Sequence, residues 1–388
     1  MGRIGVLFIL GKFDQGGAER QLLNLLKGLN KEKFMPIVAT YYEGGRWEGR
    51  VKAISGVRYH CLNIKGRFDL AGLFTGILKL VRYYRPSIVF GLMGDACTAS
   101  LPVKFLGGCK VVWGLRATNM DFDCYSPTSK WIYKLNARVS GLVDVIVSNS
   151  WSGRSYHALN GYRKSKIVVI PNGIDTDLFS YNSQGARALR KSLDLPAKAR
   201  IIGRVGRIDP MKDYPTFLKA AAILSKRYQD ALFLIAGDGD KGLKDGLKKL
   251  ASSLGIEKRI CWLGQTEKIS AFYSACEITC SSSSGEGFPN AVAESMACER
   301  LCAATEVGDT RKILGAVGGI AVLPNNPEAL SKAAHELLSM PKDKRVKMEQ
   351  AARQRIVERF GLERMVSAYE ELFLGLCEQE KPEGLKAT

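Results

Sequence analysis

Short apolar runs recur along the chain, and most are followed by a stretch whose apolar residues return with a helical period. IGVLFIL at 4–10 precedes AERQLLNLLKGL, PSIVFGLM precedes ACTASLPVKFLG, and KVVWGL and DVIVSNS come next. A second series, ARIIGRV, ALFLIAG, RICWLG, EITCS, LCAAT and GIAVL, fills the later half. Runs this short and this apolar predict buried parallel strands joined by helical crossovers. Between the series lies 180–200, SYNSQGARALRKSLDLPAKAR, which is polar and has no strand-like run. The pattern therefore predicts two doubly wound α/β domains, 1–182 and 183–359, facing one another across a cleft at the carboxyl ends of their strands. A helical pattern over about 342–377 is long enough to cross back, with 360–377 packing on the first domain. Residues 378–388, EQEKPEGLKAT, are expected to fray.

Composition fits this picture. The 388 residues are 46% apolar and 24% charged, a balance typical of globular domains. No apolar run approaches the ~18 residues of a membrane span. The first run is short for a signal peptide and leads into GKFDQGG without a small-residue cleavage site. Ten cysteines include no Cys-x-x-Cys pair, and only His60, His157 and His335 could join them, so zinc is not expected. The pairs Cys276/Cys280 and Cys298/Cys302 sit among apolar residues, as buried thiols of a reducing cytoplasm do. Net charge is +19, of which +13 falls in 1–182 and +6 in the remainder. Such a basic first domain suits an anionic membrane surface or a phosphorylated substrate. The cations are dispersed and no nucleic-acid module is recognisable, so nucleic acid is not an expected partner.

The densest chemistry lies at 281–297, SSSSGEGFPNAVAESMA, where Glu286 and Glu294 flank a Gly-Phe-Pro-Asn turn. Pro289 fits the first helical position. The amides of Gly287, Phe288, Asn290 and Ala291 then open a helix whose dipole favours an anion. Glu294 lies four residues beyond Asn290 on the same face, and an acid there binds hydroxyls rather than phosphate. The ligand this suits has a charged phosphate part and a hydroxyl-rich part; the plain alternative is a capped helix with two solvated glutamates. In GRVGRIDPMKDYPTFLKA, Arg207 and Lys212 occupy a strand-to-helix loop, and a guanidinium with an ammonium suits a diphosphate. Gly16 and Gly17 stand between the first strand and its helix, where backbone can approach a ligand; Glu19 follows in the first turn.

Rival signals are weaker. GDGDKG at 237–242 satisfies Gly-x-Gly-x-x-Gly, yet Asp238 and Asp240 would face the pyrophosphate that a dinucleotide loop attracts. The pairs Asp121/Asp123, Asp175/Asp177 and Asp238/Asp240 suggest magnesium only as acid-rich chains do by chance. No Walker loop is present, and three histidines give no support to a Ser-His-Asp triad.

Taken in order, GGAER, IVVIPNGIDTDLF, GRVGRIDPMKDY and the Glu-x7-Glu run from Glu286 to Glu294 resemble family 4 of the glycosyltransferases over almost the whole chain. The resemblance implies the GT-B fold, two facing Rossmann-like domains, the first holding the acceptor and the second a nucleotide-sugar, usually of UDP or GDP. It implies that Arg207 and Lys212 bind the diphosphate, that Glu294 holds the ribose and Glu286 the transferred sugar. Residues Gly287, Phe288, Pro289, Asn290 and Ala291 would contact sugar and phosphate, and Gly16 and Gly17 the phosphates. Transfer would retain anomeric configuration, need no metal or other cofactor, and extend a cell-surface polysaccharide or a polyprenyl-diphosphate-linked saccharide in the cytoplasm or on the inner face of its membrane. Two departures stand out. Arg116 occupies the region where many relatives have histidine, and arginine is no general base at neutral pH; with Asp95 it is a candidate acceptor or phosphate contact. ERLC at 299–302 replaces the usual Gly-x-Pro-Val. An epimerase, a phosphorylase and a partner without turnover remain the alternatives.

Overall fold

A computed structural model of the protein describes residues 2–14, 16–66, 69–116, 118 and 127–378. Asp121, Asp123 and most of the predicted tail lie outside the described residues. The chain divides into two compact units, Met1–Gly173 with Leu362–Thr388, and Ile174–Gly361.

Unit 1 holds seven strands: β1 (Ile4–Leu10), β2 (Phe34–Thr40), β3 (Arg58–Cys61), β4 (Ile88–Leu92), β5 (Lys110–Leu115), β6 (Val145–Ser148) and β7 (Ile167–Val169). All pair in parallel, in the order β3-β2-β1-β4-β5-β6-β7. β1 is apolar throughout because both faces are covered. Val6, Phe8 and Leu10 point into one core, and Leu7 and Ile9 into the other. The first of these cores is closed by the helix Leu362–Glu378, whose Phe373 ring lies 6.3 Å from Phe8, 6.0 Å from Phe34 and 6.4 Å from Phe90. Phe373→Ala is expected to cost about 3–5 kcal/mol, read as a lowered denaturant midpoint.

Unit 2 holds β8 (Arg200–Val205), β9 (Ala231–Ala236), β10 (Ile260–Gly264), β11 (Ile278–Ser281), β12 (Cys302–Thr305) and β13 (Gly319–Val322), in the parallel order β10-β9-β8-β11-β12-β13. The order reverses between β1 and β4 in unit 1 and between β8 and β11 in unit 2. Such switch points leave a crevice at the carboxyl ends of the strands, where open sheets bind ligands.

The division falls at Gly173/Ile174, nine residues before the expected boundary after 182. Residues 174–182 are drawn into unit 2 by contacts that a polar sequence does not advertise. Ile174 and Phe179 join its core, Arg353 donates to Thr176 O and Phe179 O, and Asn182 N donates to Ser274 Oγ at 2.9 Å. The polar stretch itself is mostly a helix, Ser183–Ser192, capped by Asn182 on Gly185 N at 2.7 Å. The late helical pattern is two helices broken at Gly361. Lys342–Phe360 stays with unit 2, and Leu362–Glu378 returns to unit 1.

The clustered thiols are buried. Burial pushes Cys302 up to about 11 and Cys276 and Cys298 up to about 12, far from thiolate chemistry at neutral pH.

Candidate active site

The loops after β8 and β11 flank the unit 2 switch point, and each is shaped by its own polar residues. Asp209 caps the short turn Pro210–Lys212 by accepting from Met211 N at 3.0 Å. Asp213 adopts left-handed backbone, φ 44°, and caps the helix Tyr214–Arg227 through Thr216 N at 3.2 Å. Ser284 N donates to Met211 O at 2.9 Å, which joins the two loops.

That junction brings Lys212 onto Glu286, Nζ to Oε1 at 2.5 Å, with both side chains largely buried. Ser283 Oγ donates to the same carboxylate oxygen at 2.9 Å. Arg207 lies in the same loop but reaches outward, 73% exposed, and pairs with Asp209 at 3.1 Å. This region thus holds one largely buried ammonium-carboxylate pair and one exposed guanidinium paired with Asp209.

Glu294 is 2% exposed and accepts from Tyr273 Oη at 3.0 Å. The reading of two solvated glutamates on a plain capped helix therefore fails: one is paired with a lysine and the other is buried. Pro289 is the N-cap, not the first helical residue, and the helix is Asn290–Ala297. The first amides with intrahelical acceptors are those of Val292 and Ala293, both on Pro289 O. Phe288 turns its ring into the core, 5.5 Å from Phe360, and so anchors the turn that carries Gly287 and Asn290.

Two supports of this site are absent from the sequence reading. Gly308, φ 57°, lies so close to the turn that a Cβ would stand 2.4 Å from both Glu286 O and Gly287 O. Asp309 N donates to Gly287 O at 3.0 Å from the same loop. The other is Arg204, 1% exposed, inside β8. Its guanidinium donates to Lys212 O at 2.6 Å and Ser281 Oγ at 3.3 Å and stacks 5.0 Å from the Tyr214 ring. Among the described residues it makes no ion pair, and its Nε is buried without an acceptor. Ser282 Oγ also lies on this segment, within 2.7 Å of Asp213 O. The left-handed turn that presents Lys212 is therefore held from inside the fold. A charged residue within the apolar run ARIIGRV is the signal that could have found it.

The GDGDKG loop has a structural explanation. A Cβ on Gly237 would meet Gly206 O at 1.8 Å, and one on Gly239 would meet Ile208 O at 2.1 Å. These glycines let the loops after β8 and β9 run in backbone contact, Ile208 N donating to Asp238 O at 2.8 Å. Asp240 caps Leu243 N, and Asp238 accepts from Lys244 Nζ at 2.6 Å. Gly237→Ala is expected to destabilise unit 2 by about 1–3 kcal/mol, read in thermal unfolding without any ligand. Asp175 likewise serves a turn, accepting from Leu178 N at 3.0 Å. Among the described residues no group of three or more His, Cys, Asp or Glu is placed to hold a metal.

In unit 1, Gly16 caps the helix Gly17–Gly28, and the Glu19 carboxylate folds over it, 2.2 Å from where a Cβ would stand. Asp95 is exposed in the first turn of the helix Gly94–Gly107, so Gly16, Gly17 and Asp95 all flank the crevice between β1 and β4. Arg116 is not an idle loop cation: each of its two outer nitrogens already makes one bond within unit 1. It donates to Asn172 Oδ1 at 2.9 Å and to Tyr369 Oη at 2.8 Å, tying the helix Leu362–Glu378 to the sheet.

Comparison with known proteins gives a consistent result. Residues 15–178 match the model of glycosyltransferase family 4, and residues 186–355 match that of glycosyl transferases group 1. A D-inositol 3-phosphate glycosyltransferase of Corynebacterium urealyticum is 29% identical over 55% of this chain, and the chain spans about half of that relative's length, 52%. Its namesake in Streptosporangium roseum is 29% identical over 70% of this chain and 67% of its own length. Among solved structures, Anabaena HepE in complex with UDP-glucose superposes with a TM-score of 0.84 at 19% identity, covering 96% of this chain and 100% of that one. Sucrose-phosphate synthase from Thermosynechococcus elongatus gives 0.83 at 17% identity, covering 97% and 100%. At such identities the likeness to solved structures is one of fold.

Proposed function

This chain belongs to glycosyltransferase family 4 and has its GT-B fold, and on that premise we propose that it transfers a sugar from a UDP- or GDP-sugar to a saccharide or lipid-linked acceptor with retention of anomeric configuration. The observation that carries this reading is the Lys212-Glu286 pair at the unit 2 switch point, with Arg207 beside it. Lys212 and Arg207 would neutralise the diphosphate as it leaves, with no metal needed. Glu286 would hold the hydroxyls of the transferred sugar. Glu294 would take the ribose, its orientation fixed by Tyr273. The leaving phosphate would itself accept the acceptor's proton. Unit 1 would bind the acceptor, through Asp95 among others, while Gly16 and Gly17 admit the phosphates. Arg116, oriented by its bonds to Asn172 and Tyr369, would offer the acceptor the remaining N–H donors of its outer nitrogens. Synthesis of a cell-surface polysaccharide in the cytoplasm, at the inner face of the membrane, suits the basic first unit.

Calorimetric titration with UDP, GDP and NAD, each with and without magnesium, tests the donor site. Binding of UDP or GDP without metal is the expected result; NAD binding alone, or none at all, overturns the reading. Incubation with the matching nucleotide-sugar then separates transfer from its rivals. Interconversion of free nucleotide-sugars would mark an epimerase, and release of sugar phosphate a phosphorylase.

A further inference from the structure

Four consecutive segments of unit 1, each the end of a helix with its link to the next strand, share an unusual composition. They occupy 82–87, 104–110, 138–144 and 159–166, and lead into β4, β5, β6 and β7. These strands are neighbours in the parallel sheet, so the connections lie side by side along its amino edge, opposite the crevice that holds Asp95. Strand spacing of about 4.8 Å makes them one row.

Each segment places an apolar side chain in solvent: Tyr83 (80% exposed), Phe105 and Leu106, and Leu159 (88% exposed) in the last turns of their helices, and Leu142 in the short turn Ser140–Leu142. The solvent side of a helix's last turn ordinarily carries polar or basic residues instead. The same four segments hold eight Lys or Arg against one acid, Asp144, and that acid is paired with Lys104 at 2.8 Å. Arg82, Arg85, Arg138, Arg163 and Lys164 are exposed. The edge is therefore positive, and its apolar groups project from four separate segments, Phe105 and Leu106 together.

We propose that this edge docks the protein on an anionic bilayer. Separate apolar groups flanked by cations suit a fluid interface, where each side chain enters between lipids while the cations meet headgroups. A protein partner would favour a contiguous shaped patch, and a nucleic acid would gain nothing from exposed leucines. The proposal deepens, and rests on, the reading of this chain as a transferase with a membrane-linked acceptor. Docked this way, the carboxyl edge of the unit 1 sheet stands about 20 Å from the bilayer, one strand length away. A lipid-linked acceptor then reaches that edge with an extended saccharide, not with its first sugar.

The test is co-sedimentation of the full chain with phosphatidylcholine vesicles, with and without phosphatidylglycerol. Wild-type protein is expected to partition onto the anionic vesicles only. Phe105→Glu with Leu159→Glu, and separately Arg163→Glu with Lys164→Glu, should each weaken partitioning by about tenfold or more. Both double variants change exposed side chains and should keep the wild-type melting temperature and nucleoside diphosphate affinity. Absence of anion-dependent partitioning in the wild type, or variants that partition as it does, would overturn the proposal. So would a wild-type dimer that the apolar substitutions dissolve, or binding of single-stranded RNA in place of vesicles. Loss of nucleotide binding in the wild type would instead count against the donor site, so the two failures are separable.

Discussion

Lys212→Met is expected to weaken nucleoside diphosphate binding by about ten- to a hundredfold, the range for one charge-assisted hydrogen bond worth about 1.5–3 kcal/mol. Two effects add. The phosphate loses its ammonium, and Glu286, now without the cation it touches at 2.5 Å, is left as a carboxylate facing an anion. Glu286→Gln should behave differently. It frees Lys212, so diphosphate affinity should hold or rise a few-fold, while turnover falls because the sugar hydroxyls lose their acceptor. The two together form a double-mutant cycle by calorimetry, and a coupling near zero would mean that the pair does not act as a unit. Equal, negligible effects of both substitutions would remove this pair from the donor site.

Arg204→Met should separate stability from binding. Methionine keeps the apolar stem, and the cost is that of Lys212 O losing its donor, about 1–3 kcal/mol, with no ion pair to Arg204 among the described residues. Melting temperature should therefore change by only a few degrees. The turn at Lys212 and Asp213, however, loses its 2.6 Å support from within, and its left-handed residue is free to relax. Nucleoside diphosphate affinity is expected to fall about tenfold, as one charge-assisted bond to the presenting backbone is lost. Arg204→Lys should recover part of it by restoring a donor to Lys212 O. Unchanged affinity in the methionine variant, or collapse of the melting temperature, would show that Arg204 serves the fold alone.

Much of this architecture is legible in the hydrophobic pattern, because strands of a fully covered parallel sheet must be apolar on both faces. The strands missing from that pattern have physical reasons. β2 is interrupted by Pro36, and β3 and β7 are short, half-solvated edge strands. The candidate site residues are legible as loop residues at strand ends, but their partners are not. Nothing in linear spacing says that Lys212 meets Glu286, 74 positions away, or that Gly308 closes on its backbone. Arg116 shows a related difficulty: nothing near this arginine in the sequence announces its partner Tyr369, 253 positions away. The exposed apolar groups along the amino edge are hidden in the sequence for a related reason. Periodicity marks buried positions, and only the sheet order gathers four separate segments into one row.

The closing of unit 1 by the helix Leu362–Glu378 has a consequence for synthesis. A ribosome releases Ile174–Gly361 as one continuous stretch, so unit 2 has all its strands before the last helix exists. Unit 1 begins first and finishes last. Until Tyr369 and Phe373 emerge, Phe8, Phe34 and Phe90 lack their aromatic partners on that face, which Leu22, Leu25 and Leu26 cover only in part, and Arg116 lacks its distant hydroxyl. For the time taken to translate all of unit 2, the nascent first unit is an incompletely covered sheet. In that interval, chaperone capture and premature pairing with a neighbouring nascent chain compete for the same apolar surface.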